Sequence, residues 1–135
     1  MTATLGQLPP FRGCGGRQLR DVTRWVTAHR TLAGTVLMDE GRVGREVVVI
    51  ASGRALVRKA GQPIAELGAG DICGEMAVLD HGVRTASVVA ETDLDLFVMS
   101  AQEFRTVLAV CPSVERHVTQ TLSARLRRAD RELAV

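Results

Sequence analysis

Apolar residues along this chain change their spacing twice. Within residues 1–31, Leu19, Val22, Trp25 and Val26 fall at i, i+3, i+6 and i+7, with Arg20, Asp21 and Arg24 off the stripe. That spacing predicts an N-terminal helical segment. Ahead of the stripe, Leu8-Pro9-Pro10-Phe11 cannot lie inside a helix, and Gly13, Gly15 and Gly16 loosen the connection. From 32 to 99 the helical spacing vanishes. Short Val/Ile/Leu-rich runs alternate with glycines at 34, 41, 44, 53, 61, 68, 70, 74 and 82, leaving candidate strands at 35–38, 45–51, 54–60, 63–67, 86–91 and 94–99. Short strands with frequent turn residues predict an antiparallel sandwich or barrel. Crossover helices, which a parallel sheet needs, are missing from the pattern. Residues 100–135 return to helix. Ser100 and Glu103 form a capping box, Pro112 interrupts, and Val114, Val118, Leu122 and Leu126 recur at i+4.

With 135 residues, the chain reads as one domain, 1–135, mainly β with flanking helices. Residues 1–112 carry 12 basic and 12 acidic side chains, so the net +2 resides in the C-terminal helix, with Arg116, Arg125, Arg127, Arg128 and Arg131. Such a balance excludes a nucleic-acid reader, which presents a strongly basic face. No apolar run approaches the about 18 residues of a membrane span, and Pro9 and Pro10 interrupt any signal segment. Cys14, Cys73 and Cys111 are odd in number and scattered, which reads as reduced thiols in the cytoplasm rather than a disulfide frame. Sixteen of the 17 basic residues are Arg, a bias that suggests GC-rich bacterial coding.

Chemistry concentrates in residues 70–88, where Gly70-Asp71-Ile72-Cys73-Gly74-Glu75-Met76-Ala77-Val78-Leu79 precedes a polar loop and Arg84-Thr85-Ala86-Ser87-Val88. Met76 to Leu79 can make one helical turn whose unpaired N–H groups form an anion cradle. Gly74 lets a ligand approach the backbone. Arg84, nine residues beyond Glu75, can return across the loop and present a planar fork of donors to a phosphate. A carboxylate aimed at a phosphate would repel it, so Glu75 is better used as an acceptor for neighbouring hydroxyls. An anion with adjacent hydroxyls is a sugar phosphate.

Taken with Leu8-Pro9-Pro10-Phe11, Ala33 to Gly41, Val49 to Gly53 and Leu67 to Asp71, this stretch resembles the cyclic-nucleotide-binding domain of catabolite activator proteins, kinase A regulatory subunits and cyclic-nucleotide-gated channels. The resemblance covers most of the chain and rests on six pieces in order, ending in the Gly-Glu and Arg of a phosphate-binding cassette. It implies a jelly-roll barrel with an N-terminal helix and C-terminal helices. It implies that Glu75 accepts from the ribose 2′-OH and Arg84 pairs with the cyclic phosphate. Gly74, Met76 and Ala77 would cradle that phosphate, Val57 and Ile64 would pack on sugar and base, and Leu122 or Leu126 would close over the base. Cys73 stands where the family usually has a large apolar residue. Thr85 stands where cAMP-selective kinase domains more often have alanine; it reads equally as a cGMP contact and as a β-branched strand residue.

The functional expectation is a non-enzymatic sensor of cAMP, ahead of cGMP, acting through movement of the C-terminal helix on a protein effector whose identity is open. A homodimer through that helix is a further expectation, since its apolar stripe reads first as core or dimer seam. Nucleic acid and membrane are not expected as partners. The alternative is a degenerate barrel serving as a protein scaffold, against which the retained Gly74-Glu75 and Arg84 speak. A metal-dependent enzyme on a similar barrel is disfavoured, because His29, His81 and His117 have no ligand spacing. Met1 suggests a complete N-terminus, and the chain reads either as a stand-alone module or as a piece of something longer.

Overall fold

The structure, a computed structural model, describes the backbone of residues 2–75 and 83–133 and the side chains of residues 5–75 and 83–124. Helix α1 (Thr2–Gln7), a 3-10 turn (Pro9–Phe11) and α2 (Gly16–Val22) lead into eight strands. These are β1 (Thr27–Thr31), β2 (Val36–Met38), β3 (Glu46–Ser52), β4 (Ala55–Lys59), β5 (Gln62–Leu67), β6 (Ile72–Cys73), β7 (Ser87–Ala90) and β8 (Leu94–Ser100). Helices α3 (Ala101–Val110) and α4 (Pro112–Leu133) follow. The strands form two antiparallel sheets, ordered β1-β8-β3-β6 and β2-β7-β4-β5. Two stacked sheets with helices at either end match the expected jelly-roll architecture.

The run Val47-Val48-Val49-Ile50 on β3 shows why the strands read as continuous apolar stretches. All four are buried. Val48 and Ile50 pack between the sheets with Ala55, Val88, Ala90, Leu94 and Leu96. Val47 and Val49 face the helices, sharing a second cluster with Phe11, Val22, Phe97, Phe104, Val107 and Val114. A strand covered on both faces has no polar side to alternate with. Each such side chain contributes about 1.5–3 kcal/mol on burial.

Six of the eight strands fall where the glycine-punctuated runs place them. The N-terminal zone differs. Helix α2 stops at Val22, the Trp25 N–H bonds back to the Val22 carbonyl at 2.9 Å, and Thr27–Thr31 is a strand rather than helix. Pairing with Leu94–Val98 of β8 overrides the helical spacing there, helped by Arg30 reaching Asp95 at 3.1 Å. The two-residue β6 also lies outside the sequence-derived strands. Cysteine pairing is the second correction. Cys14 and Cys111 are joined in a disulfide across a separation of 97 residues, and Cys73 is a buried thiol outside any disulfide. The loop carrying Cys14 packs on the α3–α4 junction, a proximity that scattered positions in sequence conceal. Closing a loop of that size is worth roughly 2–4 kcal/mol.

Helix α3 begins as the sequence predicts. The Glu103 N–H donates to Ser100 Oγ at 3.1 Å, and the Ser100 N–H donates to Glu103 Oε1 at 2.7 Å. Ser100→Ala is expected to cost about 0.5–2 kcal/mol, the usual loss of an N-cap. Chemical denaturation checks this: an unshifted midpoint would mean that packing of Phe104 and Val107 alone sets the helix start. Cys111 is the only non-helical residue between α3 and α4. Beyond it, Val114 and Val118 are buried in the helix-side cluster. Among the described residues no helix is long and apolar enough to cross a membrane.

Candidate functional site

The approach to the cassette is pinned to β3. The Gly70 N–H donates to the Ile50 carbonyl at 2.7 Å, and the Ile50 N–H donates to the Asp71 carbonyl at 3.0 Å. The Asp71 carboxylate folds back to accept from the Gly68 N–H at 2.7 Å. Ile72 and Cys73 then pair with Val49 and Val48. Gly74 turns the chain away with φ at +91°, a conformation open to glycine and costly to other residues. Its neighbour Glu75 is only 2% exposed.

Arg84 returns to this point from the far side of the loop. Its backbone is held at both ends, its N–H donating to the Arg42 carbonyl at 2.6 Å and its carbonyl accepting from the Gly41 N–H at 2.9 Å. A bridge between Val43 and Val83 extends the same contact. Arg84 as a whole is 8% exposed, and its guanidinium donates through Nη1 to the Gly74 carbonyl at 2.9 Å and through Nη2 to the Glu46 carbonyl at 2.6 Å. Burial pulls its pKa below the ordinary arginine value, while nearby Cys73, Glu46 and Glu75 push it back up. A delocalised guanidinium does not give up its proton inside a folded protein, so the side chain remains a cation. The fold thus gathers a buried cation, a buried carboxylate and a glycine turn whose backbone is closely approached, the donor and acceptor set that a sugar phosphate requires.

The other sequence-derived residues are more dispersed. Cys73 sits in the inter-sheet core, its Sγ 3.6 Å from the Val48 carbonyl. In sequence nothing basic adjoins it, yet in space Arg84 is near enough to interact. Val57 is half-buried against the same core. Ile64 is 55% exposed at a register shift between β4 and β5, where Val57 pairs with Ala65 and Arg58 with Pro63. Thr85 is exposed. Leu122 packs against the helix-side cluster. Met76, Ala77 and His81 lie outside the described residues, as does the side chain of Leu126. No group of His, Cys, Asp and Glu able to hold a metal occurs among the described residues.

Sequence reasoning missed the supports of Arg84. Gly41, Arg42, Glu46 and Gly74 hold it through main-chain atoms, which a side-chain motif does not display. The one available signal was Gly41, with φ at +85°.

Comparison with known proteins places these features in context. Residues 29–110 match the family model of the cyclic nucleotide-binding domain. The chain is 31% identical over 114 residues to a cyclic nucleotide-gated potassium channel of Rhizobium etli, covering 84% of this chain and 32% of the channel. It is 33% identical over 130 residues to the cyclic AMP receptor protein of Thermus thermophilus, covering 93% of this chain and 60% of the receptor. The crystal structure of the Thermus thermophilus catabolite activator protein superposes with a TM-score of 0.80 at 30% identity, over 93% of this chain and 61% of that one. This chain therefore spans about a third of the channel and three-fifths of the receptor.

Proposed function

The chain belongs to the cyclic-nucleotide-binding domain family, and on that premise we propose that it senses a cyclic purine nucleotide, cAMP ahead of cGMP, without catalysis of its own. The observation that carries this reading is the convergence of Gly74, Glu75 and Arg84, with both charged side chains buried. In the proposed complex Arg84 faces the cyclic phosphate and Glu75 the ribose 2′-OH. Gly74, with Met76 and Ala77 beyond it, supplies backbone donors to the phosphate. Val57 and Ile64 line the sugar and base, and Thr85 is the proposed contact for a guanine. Output passes through α4 to a protein effector in the cytoplasm, with α4 as the surface for a second copy. The likeness to the cyclic AMP receptor protein favours cAMP.

Isothermal titration with cAMP and with cGMP tests this directly. Saturable binding of cAMP at lower concentration than cGMP is the expected result, and absence of heat with both nucleotides removes the reading. Glu75→Gln is expected to hurt less than loss of Arg84 while lowering discrimination against 2′-deoxy-cAMP. A carboxylate accepts from a hydroxyl more strongly than an amide does, by roughly twofold in hydrogen-bond strength. Titrating cAMP and its 2′-deoxy analogue on both proteins decides the point. If the affinity ratio is the same in the two, Glu75 does not read the ribose.

A further inference from the structure

The N-terminal segment and the α3–α4 junction meet at three places. Cys14, half-buried, is bonded to Cys111, wholly buried, with their Cα atoms 5.7 Å apart. Ser113 Oγ donates to the Pro10 carbonyl at 3.0 Å. Gly13 lies so close to the junction that a Cβ placed on it would fall 2.8 Å from the Ser113 Cβ. Of these ties only the first is covalent, and it is anchored on the single residue that breaks the helical path, with Cys111 at φ −116° and ψ 91°. A junction one residue long leaves α3 and α4 few dihedrals with which to change their angle. Fixing that residue to the N-terminal loop obliges the loop to follow.

We propose that the Cys14–Cys111 disulfide is a redox latch: oxidised, it makes residues 9–22 and the start of α4 one moving body; reduced, it lets α4 move alone. As a means of regulating nucleotide output, this rests on the sensor reading above; as a property of the fold, it does not. Disulfides in reducing compartments are usually transient or redox-sensing rather than permanent staples. The reductant is a dithiol. One of its thiolates attacks the sulfur of Cys14, the less buried of the two residues, the S–S bond breaks, and Cys111 leaves as a thiolate and takes up a proton. The second thiol of the reductant then resolves the mixed disulfide and frees Cys14. Two electrons pass to the protein, and the reductant ends as its own disulfide.

Hydrogen exchange on the whole chain tests the latch in three forms: oxidised, reduced with a dithiol, and Cys14→Ser. Without nucleotide, exchange at residues 9–22 is expected to quicken on reduction and in Cys14→Ser by about tenfold more than exchange in β3 and β8 does. With cAMP, changes are expected at 9–22 and 111–124 together in the oxidised chain, and at 111–124 alone in the reduced one. Equal exchange at 9–22 in both redox states overturns the proposal. So does a quickening in β3 and β8 as large as that at 9–22, which would make the bond a global staple and nothing more. Three alkylatable thiols in the chain kept under oxidising conditions would overturn it as well. Should cAMP bind neither form, the sensor reading fails, while the comparison without nucleotide still decides the latch. If Cys14→Ser does not fold, the reduced natural chain carries the comparison.

Discussion

Arg84→Ala is expected to weaken cyclic-nucleotide binding by about 30-fold or more in isothermal titration. Removing one partner of a desolvated charge pair costs on the order of 2–5 kcal/mol, and each 1.4 kcal/mol is about tenfold in affinity. Two losses combine at this position. In the proposed complex the phosphate loses its cation, and the carbonyls of Gly74 and Glu46 lose the donors that hold them 2.9 and 2.6 Å from the guanidinium. Arg84→Lys separates the two, because an ammonium keeps the charge but cannot span both carbonyls as a planar fork. The lysine variant should bind between the natural chain and the alanine variant. A folded Arg84→Ala protein with unchanged affinity would remove the cassette from the mechanism.

Gly74→Ala has the largest expected effect on stability. At φ +91° an alanine is strained before any contact is considered. Its Cβ would lie 2.7 Å from the Glu46 carbonyl oxygen and 2.8 Å from Met38 Cε, and would overlap Arg84 Nη1. The carbonyl belongs to β3 and cannot yield cheaply, so the cassette must move. A loss of about 2–4 kcal/mol is expected, seen as a fall in Tm on the order of 10 °C for a chain of this length. Nucleotide affinity should fall too, since the displaced group is the arginine proposed to face the phosphate. Thermal unfolding followed by titration checks both; an unmoved Tm would show that the turn relaxes without strain.

The barrel was legible in sequence where two signals coincided, a Val/Ile/Leu run and a glycine at its end. Lys59–Gln62 illustrates this: Ala60 and Gly61 close the β4–β5 hairpin with φ of 51° and 78°, a two-residue turn in which both φ values are positive. Strand β1 lacked the first signal. Four of its five residues are exposed, so neither a period of two nor a buried run marks it. Its place is set by β8, far along the chain. The disulfide was hidden for the same reason, since a contact between residues 14 and 111 has no local trace. At the site, Gly74, Glu75 and Arg84 were readable because their side chains, or lack of one, carry the chemistry. The atoms that hold Arg84 were not, because any residue has a carbonyl. Helix α4 is also held more firmly than its single apolar stripe suggests. Val114 and Val118 pack in the cluster around Phe11 and Phe104, so the helix is not merely a cover laid on the barrel.

The start of β3 has a mechanical consequence. Glu46 pairs with Ser100, the residue that caps α3. Its carbonyl takes the Arg84 guanidinium, while the carbonyl of the preceding Arg45 accepts from the Ala101 N–H at 3.2 Å. The two tethers are mounted on consecutive peptide planes, like two spokes on one axle. Each peptide plane is rigid, and the two meet at the Glu46 Cα, so only one residue's φ and ψ separate the arginine's anchor from the first turn of α3.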